Sequence, residues 1–346
     1  MLLLAVRDLR HRWLRLAITA ATVSVVFAVV FVLVGIDDGV ADEPERTIDE
    51  LGGAQAFVVA QDALGFLAST SIVPETVLSQ LRADGNEAWG LVVTRSTIDD
   101  TDVTVIGMDP VGTARLRLVA GSPPAKDDEV VVSSTQGARI GDTLPLAGRQ
   151  FRVVGQAGEV TLFAGLPVVF LTTTAGQELG YSGQRILNAV ALERAPSTTP
   201  KGTRARTPEQ IAADAARPIA KASATLRALA VLMYLIGSAV IGAVVYLSAL
   251  ERRRDFAVLK AVGVPTRLLA GGLVLQSLAV TAMGLVLAVA LQAVLGPLFP
   301  LPVLVPALAY VVVPAVAVVA ALLASIGGIL QAVRVEPALA FASAGQ

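Results

Sequence analysis

Cysteine is absent from this sequence, and histidine occurs only once, at His11. The chain therefore cannot assemble a histidine-based metal cluster or catalytic set. None of its lysines follows glycine or precedes serine or threonine, so a phosphate-binding P-loop is also missing. These absences predict that the protein is not an enzyme, that it holds no metal or cofactor, and that it cannot hydrolyse ATP by itself.

Charge is also scarce. Charged residues make up 16% of the chain and hydrophobic residues 54%, and the mean hydropathy of +0.69 is too high for a soluble domain. Three runs, 16–36, 228–250 and 268–333, contain no charged residue. A membrane helix needs about 20 apolar residues, so the first two runs predict one span each. Four prolines within 296–306 divide the third run into two spans. We expect four spans, at 16–36, 228–250, 268–295 and 306–333, with a short outer loop at 296–305.

Basic residues indicate the orientation of these spans. Ten basic residues but only four acidic ones lie in the segments 1–15, 251–267 and 334–346. Positively charged segments stay in the cytoplasm, so we expect both termini and the 251–267 loop to be inside and 37–227 to be outside. The first span could instead be a cleavable signal peptide ending near Ala41. Its apolar stretch, however, is longer than the roughly 7 to 15 residues of a signal core.

The outer segment has the pattern of an α+β domain. The helix signal is PETVLSQLR at 74–82, and the polar, proline-rich stretch 195–210 predicts a loop. Strand signals separated by turn residues occur at 56–60, 91–98, 102–108, 129–134, 150–156 and 167–171, with a further one in DTLPL at 142–146. The expected fold class is an α+β membrane protein, with four transmembrane helices and a large extracytoplasmic domain between helices 1 and 2.

A helical stalk is predicted before the second span. Thr207 has the character of an N-cap, with Pro208 at the first helical position and Gln210 three residues after the cap. From there the pattern can continue as helix into the second span, with a kink at Pro218. A helix that merely ends at the membrane surface fits the sequence equally well.

The spans themselves lack ionisable residues. Coupled ion transporters usually keep one within the membrane, because a charge there is costly and is retained for function. For polar exceptions such as Gln276 and Gln292, helix packing is favoured over a substrate path.

The segment 249–269 concentrates charge between two uncharged runs. Phe256, Leu259 and Val262 recur at three-residue steps, which predicts a short helix with an apolar stripe. Gly263 and Pro265 would end that helix, and Thr266 could cap the third span. The segment could serve only as a positive anchor at the lipid headgroups. The framing acids Glu251 and Asp255, together with the apolar stripe, favour docking onto a partner.

LSALERRRDFAVLKAVGVPTRLL, at 247–269, resembles the cytoplasmic segment of FtsX-like permeases of the MacB and LolC type. The resemblance extends to AVRDLRHRWLRLAITAATVSV at 5–25 and VRVEPALAFAS at 333–343. GMDPVG at 107–112 and the stretch 128–156 resemble the periplasmic core domain of that family. The order of one span, an outer domain and three spans is also the family's.

This resemblance implies an ABC transporter permease without enzymatic activity or cofactor of its own, with ATP and magnesium on a partner. The implied partners are two copies of a cytoplasmic ATPase, a second identical or related permease chain, membrane lipid and an extracytoplasmic protein, but no nucleic acid. The chain would lie in the cytoplasmic membrane and pass motion to its outer domain, a process called mechanotransmission. The coupling helix expected to dock on the ATPase comprises Glu251, Arg252, Arg253, Arg254, Asp255, Phe256, Leu259, Lys260, Val262 and Gly263.

Three functions are compatible with this mechanism. The outer domain could export or extract a lipid-linked, peptide or antibiotic-like substrate. It could instead activate an extracytoplasmic cell-wall hydrolase, as FtsX does, or sense a peptide antibiotic. The size of the outer segment favours transport.

Overall fold

The computed structural model describes residues 13–99, 101–251, 258–259, 262–299, 301 and 303–333. The chain divides into two compact units, an outer unit formed by Gly39–Ser223 and a membrane unit formed by the residues up to Asp38 and from Ala224. The helices are α1 Trp13–Asp49, α2 Glu75–Ala83, α3 Pro110–Thr113, α4 Thr173–Tyr181, α5 Pro208–Ala216, α6 Ala220–Glu251, α7 Thr266–Leu295 and α8 Ala309–Val333. The strands are β1 Ala56–Ala60, β2 Val73–Pro74, β3 Ala88–Ile98, β4 Thr101–Met108, β5 Leu118–Gly121, β6 Glu129–Ser133, β7 Thr143–Leu146, β8 Arg149–Ala157, β9 Thr161–Leu162, β10 Leu166–Thr172, β11 Ile186–Leu187, β12 Ala189–Leu192 and β13 Thr203–Arg206.

Within the described residues, three helical stretches are long and apolar enough to cross a membrane, namely Ala17–Asp49, Ala220–Val244 and Ala270–Leu298. The predicted fourth span corresponds to α8, in which Ala309–Leu323 forms a shorter apolar stretch. The protein is therefore an α+β chain with several membrane-length helices, and the fourth span stays a prediction.

Aromatic residues of α1 form the core of the membrane unit. Phe27 and Phe31 are completely buried, and their rings lie 6.5 Å from Tyr234 of α6 and 5.4 Å from Tyr310 of α8. Gly284 of α7 allows close approach to α1, since a Cβ at that position would lie 2.6 Å from Val23 Cγ1. Small residues thus let these helices pack closely. Close packing matters here because the hydrophobic effect does not drive helices together inside a lipid bilayer.

Gln292 has the packing role expected from the sequence. It is 9% exposed, and Tyr310 donates a hydrogen bond of 3.4 Å from its hydroxyl to Gln292 Oε1. This bond joins α7 to α8.

The outer unit is built on a mixed sheet with the order β13-β1-β12-β3-β4-β10-β6-β8-β5, in which β7 also pairs with β8 and β9 with β10. Each strand signal found in the sequence corresponds to an observed strand, and the signal at 74–82 corresponds to α2. Strand β12, with the sequence AVAL, was not predicted. Its residues are all buried, and so short an apolar run has no alternation that would distinguish it from other buried segments.

The predicted loop at 195–210 is wrong in part, because Thr203–Arg206 forms strand β13. This strand pairs antiparallel with β1, with Thr203 opposite Ala60 and Arg206 opposite Phe57. Its TRAR sequence carries no apolar alternation. The strand is therefore defined by its backbone hydrogen bonds to β1 at the edge of the sheet. A sequence pattern of side chains does not reveal such bonds.

The stalk prediction is confirmed at its start, and the helix is interrupted where a kink at Pro218 was expected. Thr207 and Gln210 form a capping box at the beginning of α5, with Pro208 in the first turn. Helix α5 ends at Ala216, however, and residues 217–219 form a turn before α6 begins. Pro218 lies in this turn, where a proline removes a helical hydrogen bond and clashes with the preceding turn.

Candidate functional site

The 251–267 loop, predicted to be cytoplasmic, is only partly described. Helix α6 ends at Glu251, and Leu259, Val262 and Gly263 are also within the described residues. The remaining predicted docking residues lie outside the described residues, namely Arg252, Arg253, Arg254, Asp255, Phe256 and Lys260. Their docking role stays a prediction.

The end of the loop helix is clearly defined. Gly263 has a φ of +91°, and the Val264 N–H donates to the Leu259 carbonyl over 2.9 Å. This six-to-one hydrogen bond around a left-handed glycine is the pairing of a Schellman motif, which terminates a helix. The prediction that Gly263 ends the helix is therefore confirmed.

The predicted cap of the following helix is wrong. Pro265, with φ −66° and ψ 139°, occupies the N-cap position of α7 without a side-chain hydrogen bond, and Thr266 is the first helical residue. Proline is compatible with this position, because its fixed φ lies in the extended region here and it has no N–H to leave unpaired.

Apolar side chains of the loop are exposed in the single chain. Leu259 is 41% exposed and Val262 is 78% exposed. Exposed apolar groups close to a helix terminus are available to a partner surface, but they do not identify one.

An ion pair links α1 and α6 within the membrane unit. Arg227 Nε lies 2.7 Å from Asp37 Oδ2, and the two side chains are 69% and 17% exposed. Asp37 Oδ1 is buried without a partner. These two residues coincide with the ends of the segment predicted to lie outside the membrane.

The outer unit contains an open cavity of about 650 Å³ beside the start of α4. Its volume is suitable for a small molecule. Arg82 pairs with Asp109 over 2.8 Å, and Asp109 also accepts a 2.8 Å hydrogen bond from the Gly90 N–H. Asp127 accepts a hydrogen bond from Thr172. Since these charged groups are already paired, the cavity does not indicate a particular ligand.

Metal binding finds no support in the described part of the chain. No group of three or more histidine, cysteine, aspartate or glutamate residues there is placed to hold a metal ion.

Comparison with known proteins gives relatives along the whole chain. An uncharacterized ABC transporter permease of Mycobacterium tuberculosis is 40% identical over 347 residues, covering 99% of each chain. A second one from the same species is 37% identical over 350 residues, again covering 99% of each chain. A family model described as the FtsX-like permease C-terminal region matches residues 227–337.

Two solved structures resemble part of the chain. The periplasmic region of MacB from Actinobacillus actinomycetemcomitans is 12% identical, with a TM-score of 0.36, and the match covers 47% of this chain and 93% of that one. The extracellular domain of the noncanonic ABC-type transporter YknZ from Gram-positive bacteria is 14% identical, with a TM-score of 0.33, covering 44% and 99%. Scores this low do not establish a shared fold.

Proposed function

Because this chain belongs to the FtsX-like family of ABC transporter permeases, we propose that it converts ATP hydrolysis by a cytoplasmic ATPase into movement of its outer domain. A permease of this class works with an ATPase encoded as a separate protein or domain. The permease uses the energy of ATP hydrolysis to move its outer domain. It transmits motion rather than opening a solute channel between its helices.

The observation that carries the proposal is the length of α1. This helix is continuous for 37 residues, from Trp13 to Asp49, with Pro44 inside it, whereas about 20 residues are enough to cross a bilayer. Its last turns belong to the outer unit. A rigid secondary element is a physical carrier of coupling between distant sites, so a displacement of α1 on the cytoplasmic side can reach the outer domain.

The packing of the membrane unit also supports this mechanism. The space lined by Thr19 of α1, Ile241 of α6 and Gln276 of α7 measures about 10 Å³, which accommodates about one water molecule. The predicted spans contain no Asp, Glu, Lys, Arg or His, although such residues are typical of ion-coupled pathways. Both features favour force transmission over conduction.

The coupling helix of the 251–267 loop docks on the ATPase in this proposal. Leu259 and Val262 belong to its apolar contact face, and the charged residues around them form the polar rim. Two permease chains and two ATPase copies form the working unit in the cytoplasmic membrane, with both termini inside and with ATP and magnesium on the ATPase. The outer domain exports or extracts a lipid-linked, peptide or antibiotic-like substrate.

Co-purification tests the docking role of the loop. The wild-type protein, Leu259→Asp and a matched control, Val119→Asp, are purified in mild detergent, and the proteins that accompany them are identified by mass spectrometry. Val119 is 72% exposed but lies in the outer unit. We expect a P-loop ATPase with the wild type and Val119→Asp, and an at least about tenfold lower recovery with Leu259→Asp, because a carboxylate in an apolar interface is costly.

Equal recovery of the ATPase with Leu259→Asp would refute the docking assignment. Absence of any ATPase from the wild type, in several detergents, would contradict the proposed coupling. A co-purified cell-wall hydrolase would favour the regulatory alternative over export.

A further inference from the structure

Two buried carboxylates lie where the chain passes between its two units. Glu43 belongs to α1 and is 2% exposed, and Asp214 belongs to α5 and is 1% exposed. Both residues lie within the outer unit. Acidic side chains are almost never fully buried unless they are paired, so their partners indicate what the burial achieves.

Glu43 binds a single loop of the sheet with both of its oxygens. Oε1 accepts hydrogen bonds from the Thr161 hydroxyl over 2.9 Å and from the Gly165 N–H over 2.6 Å. Oε2 accepts a hydrogen bond from the Ala164 N–H over 2.8 Å. One turn later on α1, the Thr47 hydroxyl donates to the Thr161 carbonyl over 2.9 Å. Helix α1 is thus attached to the β9–β10 turn by directional bonds.

The turn held by Glu43 has an unusual backbone. Phe163, Ala164 and Gly165 have successive φ values of 55°, 70° and 93°, and side chains disfavour this region at the first two positions. Successive N–H groups that converge on one anion can stabilise such a conformation. The turn leads directly into β10, which lies between β4 and β6 in the sheet. Glu43 therefore connects α1 to an interior strand.

Asp214 holds a second loop in a similar way. Oδ2 accepts hydrogen bonds from the Ala68 N–H over 3.2 Å and from the Ser69 N–H over 3.1 Å, and Oδ1 accepts one from the Ser69 hydroxyl. Gly65 makes the close approach possible, since a Cβ there would lie 2.4 Å from Asp214 Oδ2. The 65–69 loop follows β1 and carries Phe66, which belongs to the core.

We propose that Glu43 and Asp214 are positioning residues that fix two stalk segments, the end of α1 and helix α5, to loops of the sheet. Movement of these helices is then passed to the outer domain without a change in their contacts with the sheet. This inference rests on the proposed function. Apolar contacts have no preferred register, whereas charge-assisted hydrogen bonds to a carboxylate are short and geometrically specific. A pair of such attachments is suited to transmitting displacement.

The two attachments differ in their connection to the membrane helices. Glu43 lies on α1, which is continuous from Trp13. Asp214 lies on α5, which is separated from α6 by the turn at 217–219. We therefore expect Glu43 to carry most of the transmitted motion and Asp214 mainly to hold the loop in place.

Amide substitutions separate the two roles. In Glu43→Gln, either orientation of the amide places its NH₂ group against a backbone N–H, of Ala164 or of Gly165. In Asp214→Asn, the amide oxygen can face both N–H groups while the NH₂ group donates to the Ser69 hydroxyl, which can accept. Glu50→Gln is the matched control, because it makes the same chemical change just after α1, at a carboxylate whose backbone hydrogen bond is with Arg117 and not with the 161–165 turn.

The test uses the full chain assembled with its ATPase in lipid nanodiscs. A donor and an acceptor fluorophore are attached at Lys201→Cys in the outer unit and at Leu298→Cys in the membrane unit. Labelling is specific because the chain has no cysteine of its own. Energy transfer is compared without nucleotide and with ATP and vanadate. ATPase binding and the unfolding temperature are measured on the same samples.

We expect Glu43→Gln to lose at least about half of the nucleotide-dependent change while binding the ATPase normally. Glu50→Gln keeps the full change, and Asp214→Asn keeps most of it. Should Glu43→Gln fail to fold, Thr161→Val and Thr161→Ser provide a second variant and its control. Valine removes the hydroxyl that donates to Glu43, so Thr161→Val should lower the nucleotide-dependent change in energy transfer. Serine keeps the hydroxyl, so Thr161→Ser should retain that change.

A full nucleotide-dependent change in Glu43→Gln and in Thr161→Val would overturn the anchoring role and leave the proposed function intact. A wild-type protein that binds the ATPase but shows no change would instead contradict the proposed function. A general folding defect would abolish ATPase binding or the cooperative unfolding transition. The anchoring role predicts that the nucleotide-dependent change is lost while ATPase binding and a cooperative unfolding transition are kept, at a lowered unfolding temperature because buried hydrogen bonds are removed.

Discussion

The chain passes between its apolar helices and its sheet domain twice, and the two passages are built differently. At the first, α1 is continuous to Asp49 and ends beside the Glu43 attachment. At the second, the turn at 217–219 interrupts the helix between Asp214 and α6. One passage thus has a continuous helix, with Pro44 inside it, and a fixed attachment, and the other has a similar attachment followed by a break. In a permease that transmits motion, a continuous helix can carry displacement, while a break in the other passage allows the two to move unequally.

The largest expected effect comes from disturbing the second passage with Gly65→Ala. The added Cβ would lie 2.6 Å from Asp214 Cβ, so α5 or the loop must shift. Overpacking of this kind lowers the free energy of unfolding by about 1 to 3 kcal/mol. Urea unfolding of the full chain in detergent, followed by Trp89 fluorescence in a Trp13→Phe background, measures the change.

Gly158→Ala is the control for Gly65→Ala, because nothing lies within 4 Å of a Cβ at Gly158 and its φ is not positive. We expect that variant to be neutral or slightly stabilised. If Gly65→Ala were equally well tolerated, the close approach of Asp214 to the 65–69 loop would not matter for the second passage.

A smaller effect is expected at the end of the first passage, at Glu50. Burial raises the pKa of Glu50 above 4.5, and its Oε2 has no hydrogen-bond partner. The native state therefore binds this proton more tightly than the unfolded state, and the resulting stability is present below pH 4.5 and lost as the pH rises through the raised pKa. Glu50→Gln removes this loss, so it should be more stable than the wild type at pH 7, by a margin that shrinks on acidification.

The direction of this pH dependence is tested by measuring the unfolding temperatures of Glu50→Gln and the wild type between about pH 4 and pH 8. A margin independent of pH would show that Glu50 does not titrate as its burial indicates. The contrast with Glu43 would also weaken, since Glu43 has both oxygens bonded and Glu50 does not.

The smallest effect is expected from Arg227→Ala, which breaks the ion pair between α1 and α6. Arg227 is 69% exposed, and pairs of this kind contribute about 0 to 1 kcal/mol because solvent screens them. We expect a shift within that range that decreases at high salt. A large, salt-independent loss of stability would show that the pair joins the two passages more strongly than its exposure indicates.

Much of the sheet could be predicted because its strand signals are local. Runs such as AFVVA at 56–60 alternate or cluster apolar residues between turn signals, and each lies in a strand of the structure. The glycine that ends the loop helix was predictable for the same reason, since Gly263 adopts a positive φ that other residues avoid. Strand β13 was not predicted, because it depends on pairing with a neighbouring strand. The kink expected at Pro218 is a full interruption of the helix at 217–219.

The two attachment carboxylates could not have been found from the sequence. Glu43 bonds to Thr161, which is 118 residues away, and Asp214 bonds to the Ala68 N–H, which is 146 residues away. Neither acid stands in a motif, and outer acidic residues are usually solvated. Gly65 was the available signal, but a glycine indicates a close approach only when its partner is known.

The sequence by itself determined that this chain enters a membrane, that it has an α+β segment between apolar runs, and that it resembles FtsX-like permeases. These properties follow from hydropathy, local periodicity and motifs, which depend on residues close together in the chain. The tertiary structure alone decided which buried acids hold the stalk segments to the sheet. The Glu43 and Asp214 attachments join residues more than a hundred positions apart, and burial makes each carboxylate a geometrically specific hydrogen-bond acceptor.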